Sequence, residues 1–487
     1  MPLKRIRELF FFLFFFAVTA VFSQTSFPKG AILDEEAYDN LPRKAALAAH
    51  EYDGLPRIFS LKQYAPLPGD QADYGTCVAW AAAYGARTIA ESVALGRMSQ
   101  TETTQNVFSP VYVYRNIRPD DPECIRGAQI HWALDLMRDT GAVKMLDVER
   151  SMSFPRVELS NYKNSKSFPI AGYVTLFSRG DRYKPALITR TIKKSLVEGK
   201  PVIIGMNTPD SFYDAKDIWT PEEDESPDYF YGGHAMCVVG YDDNKGAFEI
   251  LNSWGRKWGN GGYIWISYDT FVDFVTEGYE IIENLATYSD TIKFSGSARI
   301  EILDPAAPVQ AALVFSSGSA AGQTSAGEGS PPDGYYRTTG TFTEGTQFRF
   351  VVDAGESACV YSFAVSQPSQ SGNFYTPILM FPLAGASPLL NYGNGAVLPP
   401  GEGKALVLNA EAGTEYLITL YSKQPLDIQA IMRRFVTTKG SLGTRLTAAV
   451  GDGLLTSLSY NENEAAFSAE PDNPQAVAAL VVGIEHR

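Results

Sequence analysis

Apolar positions recur with two different periods along this chain, and the change from one to the other divides it. From Val78 to Leu95, in "SPVYVYRNI" and in "HWALDLMRDTGA", they return every three or four residues, which predicts helices, the last stopping at Gly141. "DEEAYDNLPRKAALAAHEYD" near the start and "ALITRTIKKSLVEGK" later predict two more helices, while Leu55 to Cys77 is extended and punctuated by proline. Beyond about Phe168 alternation takes over. "PVIIGM", "HAMCVVGYDD", "GAFEILNSW" and "GGYIWISYD" predict strands. Helices first and strands later describe an α+β unit with two halves.

Past Asn284 no long helical pattern is read. "ARIEIL", "TQFRFVVDA", "CVYSFAVSQ", "KALVLNA", "EYLITLYS" and "AVAALVVGI" alternate between glycine, proline and asparagine turns, which predicts an all-β sandwich over 288–487. Inside it, the low-complexity run at 316–334 predicts a flexible loop. The division expected is 1–23, 24–54, 55–287 and 288–487, with no internal repeat.

Residues 1–23 change the picture by where they place the protein. Lys4, Arg5 and Arg7 precede an apolar run from Leu9 to Phe22 that is short for a bilayer span, the pattern of a secretory signal peptide. An uncleaved membrane anchor is the competing reading. An exported protein, periplasmic or secreted and not integral to a membrane once the signal is cleaved, is the expectation. The length of 487 residues suggests two or three domains. A formal net charge of −14 argues against a nucleic-acid partner, which requires basic patches.

Export permits disulfides, but four cysteines (Cys77, Cys124, Cys237 and Cys359) make no disulfide framework in so long a chain. Cys77 differs in its setting. It follows Gly75 and Thr76 at the predicted start of a helix, where unpaired N–H groups and the helix dipole favour a thiolate. A buried thiol in an alanine-rich helix is the inert alternative. A nucleophile needs a base, and the chain has four histidines. His50, His131 and His486 sit in unpromising settings, whereas His234 follows two glycines and opens a strand. Asn252, at the end of another strand, can accept from its imidazole, and Trp254 can shield that bond. Gln71, six residues before Cys77, offers a second donor to an oxyanion beside the Cys77 N–H.

These residues together resemble the papain family of cysteine peptidases over about Leu55–Asn284. "NSWGRKWGNGGYIWI" is similar to the family's asparagine segment, "GGHAMCVVGYDD" to its histidine strand, "LPRIFSL" to its mature start and "FSPVYVYR" to a later helix, and Gln71 and Cys77 keep the family's spacing. The resemblance implies a papain-like two-subdomain fold, a helical half with a β-barrel-like half. It also implies acyl transfer by Cys77 and His234, with Asn252 orienting the ring and Gln71 in the oxyanion hole. The substrate would be a protein or peptide, and no cofactor or metal is required. Gly127 is carried over as a residue that pairs with substrate backbone, and Cys237 is read as core.

Tyr74 and Val78 depart from the family pattern, the first leaving Cys124 without its customary partner, and a Cys124–Cys359 bridge stays open. Only 24–54 lies between signal and mature-like start, a short pro-segment or a surface strap, so latency through a long pro-domain is not expected. The second half faintly resembles a bacterial domain of unknown function behind secreted or envelope modules. It is either a structural spacer or a binding module for an envelope or extracellular partner. A non-catalytic papain-like scaffold that binds peptides or partners is the alternative to the exported peptidase.

Overall fold

The protein was analysed as a computed structural model that describes residues 27–45, 52, 54–147, 164–284, 292–303, 309–316, 335–390, 396–398, 404–409, 411–456, 458–461 and 463–487. The signal-peptide reading of 1–23 lies outside the described residues, as does 317–334 of the predicted loop. Among the described residues no helix is long and apolar enough to cross a membrane.

One helix forms the axis of the first half. It starts at Cys77 (Cys77–Ala79), widens into a π-helical stretch (Trp80–Arg87) and returns to α over Thr88–Ala94. Every side chain from Cys77 to Arg87 is buried, which alanines permit because they let neighbours approach from all sides. Gly85 is one such approach: a Cβ there would lie 3.3 Å from the Cβ of Cys237 on the adjoining strand. Around this axis pack the helices Pro110–Ile117 and Ile130–Asp139. The first begins with Ser109 capping the Tyr112 N–H and proline in its first turn, a strong start signal.

The second half is an eight-stranded sheet. Its strands are β1 (Ile58–Ser60), β2 (Gly172–Thr175), β3 (Val202–Asn207), β4 (Ile218–Trp219), β5 (Gly233–Asp242), β6 (Ala247–Leu251), β7 (Tyr263–Ser267) and β8 (Val275–Ile282). Their order is β2-β8-β3-β5-β6-β7-β4, with β1 also on β5. All pairs are antiparallel except β4 with β7. β5 is central, and it carries His234 as its second residue. All four cysteines are unbridged, so the Cys124–Cys359 pairing that the sequence left open does not form.

Beyond residue 292 two sheets stack on a shared core. Phe294–Ile302 and Gln347–Ala354 run side by side in one, and Ala358–Pro368, Gly413–Ser422 and Val477–His486 form the centre of the other. Adjacent residues in the second sheet face opposite ways. Val360, Leu417 and Leu480 join the core between the sheets, whereas Phe363, Ile418 and Val481 join a second core on the outer face.

That outer core corrects the sequence reading, because two helices cover it: Ile428–Thr437 and Leu442–Val450. The first is capped by Asp427 and buries Ile428, Ile431, Met432 and Phe435, the i, i+3, i+4, i+7 stripe of an amphipathic helix. The second half is therefore a two-sheet unit with a helical pair on one face, not strands alone.

The segment leading into the first half ties the two units together. Arg43 N–H donates to Gly385 O and Arg43 O accepts from Ser387 N in the β-rich unit, while Lys44 N–H donates to Thr175 O on β2. Lys44 also meets Glu280 on β8 at 2.8 Å, in a buried pair.

Candidate active site

The interface between the axial helix and β5 brings together the residues singled out above. Cys77 is the first residue of the helix, and its sulfur accepts the N–H of Ala235 at 3.4 Å, so the thiol lies against the residue following His234. His234 Nε2 lies 2.8 Å from Asn252 Oδ1, immediately after β6, and Oδ1 also accepts the Ser253 N–H at 2.7 Å. Since Nε2 faces an oxygen acceptor it carries the proton, which leaves Nδ1 as the basic nitrogen. Nδ1 is buried without a hydrogen-bond partner. Trp254 stacks on the imidazole at 4.4 Å and 23°.

Gln71 is brought to the same place, but its amide is occupied. Nε2 donates to Pro28 O at 3.1 Å and to Tyr74 O at 2.7 Å, and Oε1 accepts from Ser253 Oγ at 2.6 Å. Gly127 behaves differently from the role carried over to it. Its N–H is taken up by the Tyr114 hydroxyl at 3.0 Å, and its carbonyl accepts from Arg118. Its neighbour Ala128 does the pairing, through its N–H to Gly30 O at 2.9 Å and its carbonyl to Ile32 N at 2.9 Å.

That pairing exposes the feature sequence reasoning missed. Residues 27–34, read as a pro-segment or surface strap, run through the site. Phe27 stacks on Trp254 at 4.8 Å and 10°. The Gly30 N–H lies near enough to the Cys77 sulfur to favour its thiolate. Ala31 bridges Gly233 on one side and Ala128 on the other, with its N–H 3.0 Å from Gly233 O. Three backbones meet at glycines: a Cβ on Gly30 would lie 2.1 Å from Gly75 O, and one on Gly127 would lie 2.4 Å from Gly30 O. "FPKGAIL" holds the signal that could have revealed this strap, a glycine inside a short apolar run where another backbone must pass.

Covered in this way, Cys77, His234 and Gln71 are all fully buried. Burial pushes the Cys77 thiol up to about 11, against the lowering pull of the Ala235 and Gly30 N–H groups. Burial also pushes His234 down to about 4, opposed by its bond to Asn252 and aided by the nearby Lys29 ammonium. The closed site thus holds a neutral thiol and a neutral imidazole. Of the remaining histidines, His131 lies on the Ile130–Asp139 helix and His486 ends the last strand, away from this cluster, and His50 lies outside the described residues.

Part of the chain is similar to known proteins. Residues 124–281, which include β5 and Asn252 but not Cys77 or Gln71, match the model of the papain family cysteine proteases. An uncharacterized peptidase C1-like protein of Acanthamoeba polyphaga mimivirus is 27% identical over 229 residues, 44% of this chain and 70% of that protein. Among solved structures, xylellain, a cysteine protease from Xylella fastidiosa, is 19% identical with a TM-score of 0.42, over 54% of this chain and 97% of xylellain. A procathepsin B from Trypanosoma congolense is 14% identical with a TM-score of 0.41, over 53% of this chain and 87% of its own. Residues 124–281 are thus similar to the papain family cysteine proteases, and they lie in the α+β unit that brings His234 and Asn252 together.

Proposed function

We propose that this is an exported cysteine peptidase in which Cys77 is the nucleophile, His234 its acid and base, Asn252 the group that positions the ring and Gln71 an oxyanion donor. The observation that carries the reading is the tautomer set by Asn252: with Nε2 held at 2.8 Å by Oδ1, the orphaned Nδ1 is left to exchange a proton with the thiol beside Ala235. Once the strap withdraws, the Cys77 proton passes to Nδ1 and the thiolate attacks a peptide carbonyl. The C–S bond forms, and the C–N bond breaks as Nδ1 returns the proton to the leaving amine. Water, deprotonated by the same nitrogen, then hydrolyses the thioester and restores the thiol.

With Pro28 O gone, Gln71 Nε2 has a hydrogen free for the oxyanion beside the Cys77 N–H, while Ser253 keeps the amide in place through Oε1. Trp254 excludes water from the His234–Asn252 bond, which strengthens it. Export rests on the N-terminal sequence pattern, and the β-rich unit is read as a spacer or a binding module for an envelope or extracellular partner. The test is labelling of the folded, reduced Gly30→Ala protein, in which the strap is displaced, with a thiol-directed peptidyl epoxide. The adduct is expected on Cys77, and labelling of the other cysteines with Cys77 spared would favour the non-catalytic scaffold.

A further inference from the structure

Lys29 lies between Pro28, whose carbonyl occupies the Gln71 amide, and Gly30, whose N–H lies near the Cys77 sulfur. Its side chain turns into a built pocket. The ammonium is 2.6 Å from Thr208 O, 3.2 Å from Tyr231 O and 3.5 Å from an Asp210 carboxylate oxygen, and 4.8 Å from the centre of the Tyr213 ring. An ammonium has three donors, and three oxygens meet it. The stem passes Gly232, where a Cβ would lie 3.0 Å from Lys29 Cδ. The wall does not depend on Lys29 for its shape. Asn207 fixes the Tyr231 backbone, taking its N–H at 2.8 Å and donating to Tyr229 O at 2.6 Å. Trp258 Nε1 holds the Tyr213 carbonyl at 2.9 Å. The segment between Asp210 and Tyr231 also carries Glu222, Glu223, Asp224 and Asp228, all exposed.

We propose that this pocket is a substrate subsite adjoining the scissile bond, that it selects a lysine and next an arginine side chain, and that Lys29 is its resident stand-in. The proposal rests on the reading of Cys77 as the nucleophile. A neutral apolar side chain there would leave the Thr208 and Tyr231 carbonyls without that donor, whereas an ammonium satisfies both, lies beside the solvent-facing Asp210 carboxylate and gains the face of the Tyr213 ring. Arginine, longer and planar, meets the same acceptors with poorer geometry.

The test uses the full chain with Gly30→Ala, which drives the strap away from Gly75. Phe27→Ala with Lys29→Ala serves in its place if that variant does not fold. In the first arm, Cys77→Ala is added and a fluorescent peptide with the sequence of residues 24–36 is bound and read by anisotropy. Replacing its lysine by norleucine is expected to weaken binding about 10-fold or more, the range for hydrogen bonds to a charged group, while arginine retains most of it. In the second arm, Cys77 is intact and a positional peptide library is cleaved. Lysine and arginine are expected to be enriched at one position next to the cut, and Asp210→Asn with Tyr213→Ala is expected to flatten that preference. Equal binding of the lysine and norleucine peptides, or cleavage without basic enrichment, overturns the subsite and leaves the nucleophile standing. Lysine-dependent binding without cleavage or Cys77 labelling supports the pocket and overturns the nucleophile.

Discussion

Gly30→Ala should convert a closed site into an open one. The new Cβ would lie 2.1 Å from Gly75 O, 2.3 Å from its carbonyl carbon and 2.7 Å from its Cα, all main-chain atoms at the turn that places Cys77. The strap must lift, and besides the Phe27 and Lys29 side-chain contacts, which can persist, four bonds hold it at the site: Ala128 N to Gly30 O, Ala31 N to Gly233 O, Ile32 N to Ala128 O and Gln71 Nε2 to Pro28 O. At about 0.5–1.5 kcal/mol each, these contribute about 2–6 kcal/mol. Losing half of that raises the open population about 5- to 150-fold, since 1.4 kcal/mol is a factor of ten. The assay is the alkylation rate of Cys77, followed by peptide mass, with Cys359 as internal control because it is buried in the outer core of the β-rich unit, which the strap residues 27–34 do not join. Cys77 should accelerate by that factor and Cys359 should not. An unchanged Cys77 rate, or an equal rise at both thiols, would refute the occluding strap.

Acid should open the site as well. His234 sits at about 4 when closed and moves toward its ordinary 6.5 when solvated, so the open form binds the extra proton between those values. Acidification through that window favours opening, by up to about 3 kcal/mol if the whole shift is relieved. Protection factors of the Ala31 and Ile32 amides should fall from pH 7 to pH 5, and constant protection would contradict the linkage. Asn252→Ala removes the acceptor on Nε2, and an unpaired buried donor costs about 1–3 kcal/mol, so kcat/KM of the strap-displaced enzyme should fall about 5- to 150-fold. Because the Asn252 bond raises His234, the acid limb of the pH–rate profile should also move to lower pH, a shift that a merely structural loss would not give. Phe435→Ala empties a site packed against Phe363 and Phe374 at 5.8 and 5.7 Å, and should cost the β-rich unit about 3–5 kcal/mol in thermal unfolding.

The constellation was legible because each member stood at an element boundary that the sequence marks. Cys77 follows a glycine turn, His234 follows two glycines and Asn252 ends an alternating run. Their convergence was not readable from any single stretch, since it depends on β5 and β6 pairing and on the axial helix lying across β5. The strap was missed for a related reason. Its pairing with the strand and loop around the site is main chain, through Gly30, Ala31 and Ile32, and main-chain pairing leaves little mark on side-chain pattern. The helical pair was missed although its stripe is present. The nearly continuous apolar runs "CVYSFAV", "YLITLY" and "AALVVGI" describe strands buried on both faces, which require a cover beyond the partner sheet.

The central claim is that Cys77 carries out peptide hydrolysis. It is tested most directly by comparing fluorogenic peptide cleavage by the Gly30→Ala protein with that of the same protein carrying Cys77→Ala. The account predicts robust cleavage by the first and a fall of about 10³-fold or more to background in the second, the scale on which removal of a covalent nucleophile acts. Cleavage that survives Cys77→Ala would contradict it.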